Sequence, residues 1–277
     1  MIPAEFEYSK ANTVDEAILA LSLSEAKLLA GGHSLIPALK FRMSRPSMLV
    51  DISRMPELKG IHEEDGEIVI GAATTYAELM ADDYLRKQLP FLAAGTATIG
   101  DMQVRNYGTI GGSLAHADPA ADWPAMVLAT DAAIEVKGPE GKRRINATDF
   151  FTGFFTTALD ENEIITAIRI PVPPEGTVGT YQKFAQPASR YAMVGVAAVK
   201  TPDGKVRIGI TGLTEKAFRA SAAEEILSGK ALDDANIDAA VEVAFRDAEP
   251  MSDRFASAVY RKHLAKVYLR KALLEIA

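Results

Sequence analysis

Ile99-Gly100-Asp101-Met102-Gln103-Val104-Arg105-Asn106-Tyr107-Gly108-Thr109-Ile110-Gly111-Gly112-Ser113-Leu114-Ala115-His116-Ala117-Asp118-Pro119-Ala120-Ala121-Asp122-Trp123-Pro124 is the most informative run of the chain. At its centre Thr109–Ser113 pairs two glycines with hydroxyls, and Ala30-Gly31-Gly32-His33-Ser34 repeats that chemistry upstream. Without a Cβ the backbone of such a turn can aim successive amides at an anion, and a helix starting just after it adds partial positive charge. Two such turns could clamp a diphosphate. Each taken singly also reads as a tight strand-to-helix corner, because a bare Gly-Gly pair has little specificity.

Neither turn has the GxxxxGK[ST] of a phosphate-binding P-loop or the GxGxxG of a dinucleotide-binding βαβ unit, so nucleoside triphosphates and the ordinary NAD fold are disfavoured. Around the turns, Ala26–Ala30 reads as a strand and Leu35–Phe41 as a short helix. Thr13/Glu16 and Thr75/Glu78 are capping boxes, which place helix starts there. Met48–Ile52 and Glu67–Ala73 read as strands, and the second capping box opens a helix through about Leu85. Helix then continues from Leu85 to Thr98, broken near Pro90. Pro119 suits the first turn of a helix running to about Thr130. Gly138-Pro139-Glu140-Gly141 marks a hairpin between 132–137 and 142–145, and 163–170 alternates as a strand.

Pro171-Val172-Pro173-Pro174-Glu175-Gly176 is the expected boundary. Beyond it, strand-like runs at 180–186, 192–200 and 206–213 predict an antiparallel meander, with Pro202-Asp203-Gly204-Lys205 as one turn. Helices are expected near 219–227, 234–247 and 252–276, the last burying Val259, Leu264, Val267 and Leu274. The layout is mixed α+β.

Composition narrows the chemistry. The 277 residues include 30 Lys+Arg against 37 Asp+Glu, and a formal charge of −7 argues against a general nucleic-acid binder. With no cysteine, thiolate nucleophiles, disulfides and cysteine-held zinc or iron–sulfur centres cannot reside on this chain. The four histidines show no HExxH or i, i+4 spacing, so no metal ligands are assigned. No apolar run reaches the length of a membrane span, and the first residues lack a signal-peptide pattern, giving a cytoplasmic expectation. No nucleophile triad or carboxylate pair stands out, and no catalytic residue is assigned.

The long run at 99–124, together with Ala30-Gly31-Gly32-His33-Ser34-Leu35-Ile36-Pro37, resembles the FAD-binding medium subunit of molybdenum hydroxylases, the carbon monoxide dehydrogenase medium-chain and xanthine dehydrogenase group. The resemblance covers essentially the whole chain, more loosely toward the C-terminus. It implies a two-part FAD-binding domain of the PCMH/vanillyl-alcohol-oxidase type over residues 1–174, with sub-parts about 1–56 and 57–174. A flavoprotein C-terminal domain would follow over 175–277, as a three-stranded antiparallel sheet with a three-helix bundle.

By the same resemblance, Gly31, Gly32, His33 and Ser34, flanked by Ala30 and Leu35, would hold the FAD pyrophosphate with Thr109, Ile110, Gly111, Gly112 and Ser113. Asp122 would bond the sugar-side hydroxyls, His116 and Ile99 would line the groove, and Ile165 would pack near adenine. Lys183 would be a polar contact of the isoalloxazine and Tyr191 would lie against the ring. The FAD is expected to be noncovalent, with no tether through His33. Residue by residue, plain structural roles compete: a helix-start carboxylate for Asp122, hydrogen-bonded histidines, core packing for Ile99 and Ile165.

The implied function is electron transfer. A molybdopterin large subunit hydroxylates a substrate, a [2Fe–2S] small subunit relays electrons, and this subunit's FAD passes them to NAD, oxygen or a quinone. Two other readings stand beside it. A self-contained flavin oxidase or reductase would need a substrate site over the ring, and a non-enzymatic nucleotide-binding scaffold would purify colourless.

Overall fold

The computed structural model describes residues 2–277. Its first unit holds β1 (Glu7–Lys10), α1 (Val14–Leu23), β2 (Ala26–Leu29), α2 (Leu35–Lys40) and β3 (Met48–Asp51), with the strands in a parallel sheet of order β1-β3-β2. Parallel neighbours need a crossover, and α2 supplies the one from β2 to β3. The first glycine turn therefore lies where β2 ends and the crossover helix begins.

The second unit runs through β4 (Ile61–Glu64), β5 (Glu67–Gly71), α3 (Tyr76–Ala81), α4 (Asp83–Gln88), α5 (Pro90–Ala97), α6 (Met102–Tyr107), α7 (Ile110–His116) and α8 (Trp123–Ala129). It continues with β6 (Ala133–Gly138), β7 (Gly141–Asn146), α9 (Ala147–Phe150), the small hairpin β8 (Phe151–Gly153) and β9 (Thr156–Thr157), and β10 (Ile164–Pro171). Its antiparallel sheet has the order β4-β5-β10-β6-β7. After the Pro-rich segment come β11 (Val178–Ala185), β12 (Ala192–Lys200), β13 (Val206–Thr211), β14 (Phe218–Arg219), α10 (Ser221–Leu227), α11 (Asp234–Val243) and α12 (Ala258–Glu275).

Local chemistry sets many of these boundaries. At α3 the Thr75 hydroxyl accepts from the Glu78 amide at 3.2 Å while the Glu78 carboxylate accepts from the Thr75 amide at 2.7 Å, a complete capping box. At α1 Thr13 caps Glu16, whose carboxylate accepts instead from the Asn12 amide. Pro90 opens α5 at the expected break, and Asp82 adds an unexpected one by restarting the chain as the N-cap of α4.

The units share α8. Every residue of this helix is buried, with Trp123 wholly enclosed, and it packs on both β12 and β13 as well as in the core of the five-stranded sheet. The approach to β13 is close enough to require glycine: a Cβ at Gly209 would stand 2.0 Å from the Ala125 carbonyl oxygen.

Three expectations are corrected. The C-terminal sheet has four strands, in the order β11-β12-β13-β14, because the two residues of β14 pair with β13 before α10 starts. The last helix begins at Ala258, and of its expected core residues only Leu264 is buried; Val259 is 81% exposed, and Val267 and Leu274 also face outward. The buried stripe is Arg261, Leu264, Ala265, Leu269, Ala272 and Leu273. Pro119 does not open a helix, since it sits in a turn and Pro124 occupies the first turn of α8.

Candidate functional site

The two glycine segments meet. A Cβ placed on Gly31 would lie 1.9 Å from the Tyr107 carbonyl oxygen and 3.0 Å from Gly108 Cα, so the first turn rests directly on the backbone leading into Thr109. Gly32 adopts φ +71°, the left-handed region that glycine enters without a Cβ penalty. His33 Nδ1 lies 2.9 Å from the Gly31 carbonyl oxygen, and its ring stacks on Tyr107 at 5.9 Å between centroids.

The amides divide unevenly between the segments. Among the described residues, the N–H groups of Gly31, Gly32, His33, Ser34 and Leu35 donate to no protein acceptor, nor does that of Thr109. In the second segment the Ile110 amide donates to Thr74 O (3.1 Å), Gly111 to Ala72 O (2.8 Å), Gly112 to Thr109 Oγ1 (3.1 Å) and Ser113 to Thr109 O (3.0 Å). Thr109 is the N-cap of α7 and the two glycines form its first turn. The amides without a protein acceptor among the described residues are thus those of 31–35 and Thr109, and of the two later glycines it is Gly111 that serves close approach. Gly111 is pressed onto Ala72, whereas Gly112 is exposed and a Cβ there would meet only Thr109 Oγ1.

Asp122 is buried at the N-cap position of α8 but does not cap it. Its Oδ1 accepts from Tyr181 Oη at 2.5 Å and pairs with Lys183 Nζ at 3.0 Å. Burial pushes the Asp122 carboxyl above its ordinary value, while Lys183 and the Tyr181 hydroxyl pull it down and Asp118 raises it. Lys183 also donates to Thr98 O (3.0 Å) and Arg190 O (2.8 Å), so its three protons are committed to this chain.

Arg190, at φ +61°, donates to Gly100 O at 3.2 Å and ties the loop before β12 to the start of the long motif. Tyr191 follows and is half-exposed; burial, then the Asp118 and Asp122 charges, raises its phenol's pKa. Ile99 is half-buried, with its carbonyl accepting from Arg105 Nη1 at 2.7 Å. His116 ends α7 against Phe155, 5.0 Å between ring centroids. Ile110 is core, and Ile165 is buried on β10, which packs against α7. Ala30 and Leu35 flank the first turn, both half-buried.

Free amides at a strand end, a left-handed glycine beside them and a buried carboxylate with one oxygen unclaimed by any donor among the described residues suit a hydroxyl-bearing diphosphate such as FAD. Tyr107, Tyr181 and Arg190 contact the candidate residues His33, Asp122 and Lys183; Tyr107 lies within the 99–124 run, and Tyr181 and Arg190 stand in the segments around Lys183 and Tyr191 that resemble the family's isoalloxazine region, but residue type and spacing alone single out none of the three. No group of acidic or histidine side chains suited to a metal ion occurs among the described residues, nor a helix long and apolar enough to cross a membrane.

The family described as the FAD binding domain in molybdopterin dehydrogenase matches residues 4–173, and the CO dehydrogenase flavoprotein C-terminal domain matches 179–276. The carbon monoxide dehydrogenase medium chain of Hydrogenophaga pseudoflava is 39% identical over 279 residues, covering 99% of this chain and 97% of that one. The xanthine dehydrogenase FAD-binding subunit of Escherichia coli is 32% identical over 276 residues, covering 97% and 94%. A crystal structure of the Hydrogenophaga pseudoflava carbon monoxide dehydrogenase lacking the Mo-pyranopterin moiety superposes with a TM-score of 0.96 at 41% identity, over 100% of this chain and 98% of that one. The chain belongs to the FAD-binding medium-subunit family of the molybdenum hydroxylases.

Proposed function

We propose that this chain is the FAD-binding subunit of a molybdenum-containing hydroxylase or dehydrogenase, taking electrons from an iron–sulfur partner and passing them to an external acceptor. The observation that carries the reading is the contact of the first glycine turn, whose amides at 31–35 donate to no protein acceptor among the described residues, with the backbone leading into Thr109. Residues 31–35 and Thr109 would hold the pyrophosphate, Gly112 would admit close approach, and Asp122 would accept from sugar-side hydroxyls. Tyr191 would lie against the ring system. Lys183 would act through Asp122 and the Arg190 carbonyl. FAD supplies the two-electron chemistry, so the protein's tasks are binding, orientation and access.

The medium-chain names of the relatives support assembly with a small iron–sulfur and a large molybdopterin subunit, and a chain without cysteine fits that division. The matched ranges support a division into 1–174 and 175–277, and the separate three-stranded and five-stranded sheets support sub-parts about 1–56 and 57–174. A PCMH-type arrangement and a cytoplasmic location complete the reading. Purification of the assembly followed by mild acid extraction tests it. Intact FAD in the supernatant, with molybdenum and iron in the complex, is expected. FMN, or chromophore left on the precipitate, contradicts the noncovalent diphosphate clamp.

A further inference from the structure

The phenol that reaches Asp122 does so through a slot made by missing side chains. A Cβ on Gly195 would lie 2.3 Å from Tyr181 Oη, and one on Gly95 would lie 3.2 Å from Tyr181 Cβ. Strand residues two apart share a face, so β11 presents Tyr181 and Lys183 together, and both converge on Oδ1 of Asp122. Oδ2 has no protein donor among the described residues.

We propose that Tyr181 is a positioning residue for the cofactor. Its hydroxyl, entering the slot opposite Gly195, holds Oδ1 of Asp122 and leaves Oδ2 free to accept from the cofactor's hydroxyls. This rests on the FAD reading and adds a residue which that reading does not contain.

The ionisable groups around Asp122 are few. β11 brings Tyr181 and Lys183, the turn before α8 brings Asp118, α3 brings Tyr76, and the loop before β12 brings Tyr191. Lys183 and Tyr181 favour the ionised carboxylate, whereas burial and Asp118 oppose it. Loss of the Tyr181 hydroxyl should let Asp122 take a proton at a higher pH.

The test is FAD retention by the full chain, purified in its native assembly, measured across pH 4–9 for wild type and Tyr181→Phe. The acid fall-off should move up by roughly one pH unit, with affinity near neutral pH about three- to tenfold weaker. Asp122→Asn should erase the acid limb, and adding Tyr181→Phe to it should then move nothing. If Tyr181→Phe does not fold, Gly195→Ala crowds the slot and should give the same shift while keeping the hydroxyl. An unchanged profile, or affinity lowered equally at every pH, overturns the positioning role while leaving the FAD reading intact. A wild type that takes up no FAD at any pH overturns both.

Discussion

Lys183 Nζ lies 3.0 Å from Asp122 Oδ1, with only 5% and 4% of the two side chains exposed. The pair joins a strand of the C-terminal sheet to the head of α8, at a depth where an unpartnered charge is costly. Lys183→Met should destabilise the chain by about 3 kcal/mol, since it strands a buried carboxylate. The double variant Lys183→Met/Asp122→Asn should lose clearly less than the sum of the singles in urea denaturation. Additive losses would mean that the two groups are not energetically coupled.

Gly31 and Gly112 should fail in different ways. Gly31→Ala drives a Cβ into the Tyr107 backbone, which cannot give way as a flexible side chain could, and should lower stability by about 2 kcal/mol even without cofactor. Gly112→Val meets only the Thr109 hydroxyl, at 2.8 Å, a side chain that can rotate aside, and should lower the melting temperature of the cofactor-free chain far less than Gly31→Ala while sharply weakening FAD binding. Equal FAD affinity in a folded Gly112→Val protein would remove that glycine from the site.

Acid sensitivity should centre on Glu135. Burial raises its carboxyl's pKa, but bonds from Thr166, Arg169 and Lys142 outweigh that and hold it below the ordinary range. Because the folded-state value is depressed, its contribution is present above the unfolded glutamate range and is lost as pH falls through the folded value. Glu135→Gln should cost about 3 kcal/mol at neutral pH, and its stability should fall less steeply between pH 5 and pH 3. A parallel acid limb in the variant would assign the sensitivity elsewhere.

Arg261 anchors α12 to the strand ends beside Tyr191. Its Nη1 donates to Met193 O at 2.6 Å and Gly212 O at 2.8 Å, while Nη2 meets Asp253 at 2.5 Å. A lysine cannot reproduce that fork, so Arg261→Lys should lose about 2 kcal/mol. Thermal melts that match wild type would show the contacts to be dispensable.

Tyr191→Ala should alter flavin absorption and fluorescence while leaving the folded fraction nearly intact, because the ring is half-exposed and its phenol has no hydrogen-bond partner among the described residues. A variant that unfolds readily yet keeps the wild-type flavin spectrum would place Tyr191 in the core instead.

The sequence by itself determined what depends on neighbours along the chain. The Thr75/Glu78 capping box, the hairpin across Gly138–Gly141 and the turn at Pro202–Lys205 are legible because their bonds close within a few residues. The glycine-bearing motifs likewise marked where backbone must come close to something. Tertiary structure decided what those features face. The apolar residues at 259, 267 and 274 have helical spacing, but whether that stripe is buried depends on the strands behind α12, which take its other side. The second glycine segment looked as able to bind an anion as the first until Thr74 and Ala72, more than 30 residues away, claimed the amides of Ile110 and Gly111, while Thr109 took those of Gly112 and Ser113. Asp122, Tyr181 and Lys183 meet only because β11 lies across the head of α8. Hydrogen bonds and burial act through space, and no local pattern encodes which distant group will complete them.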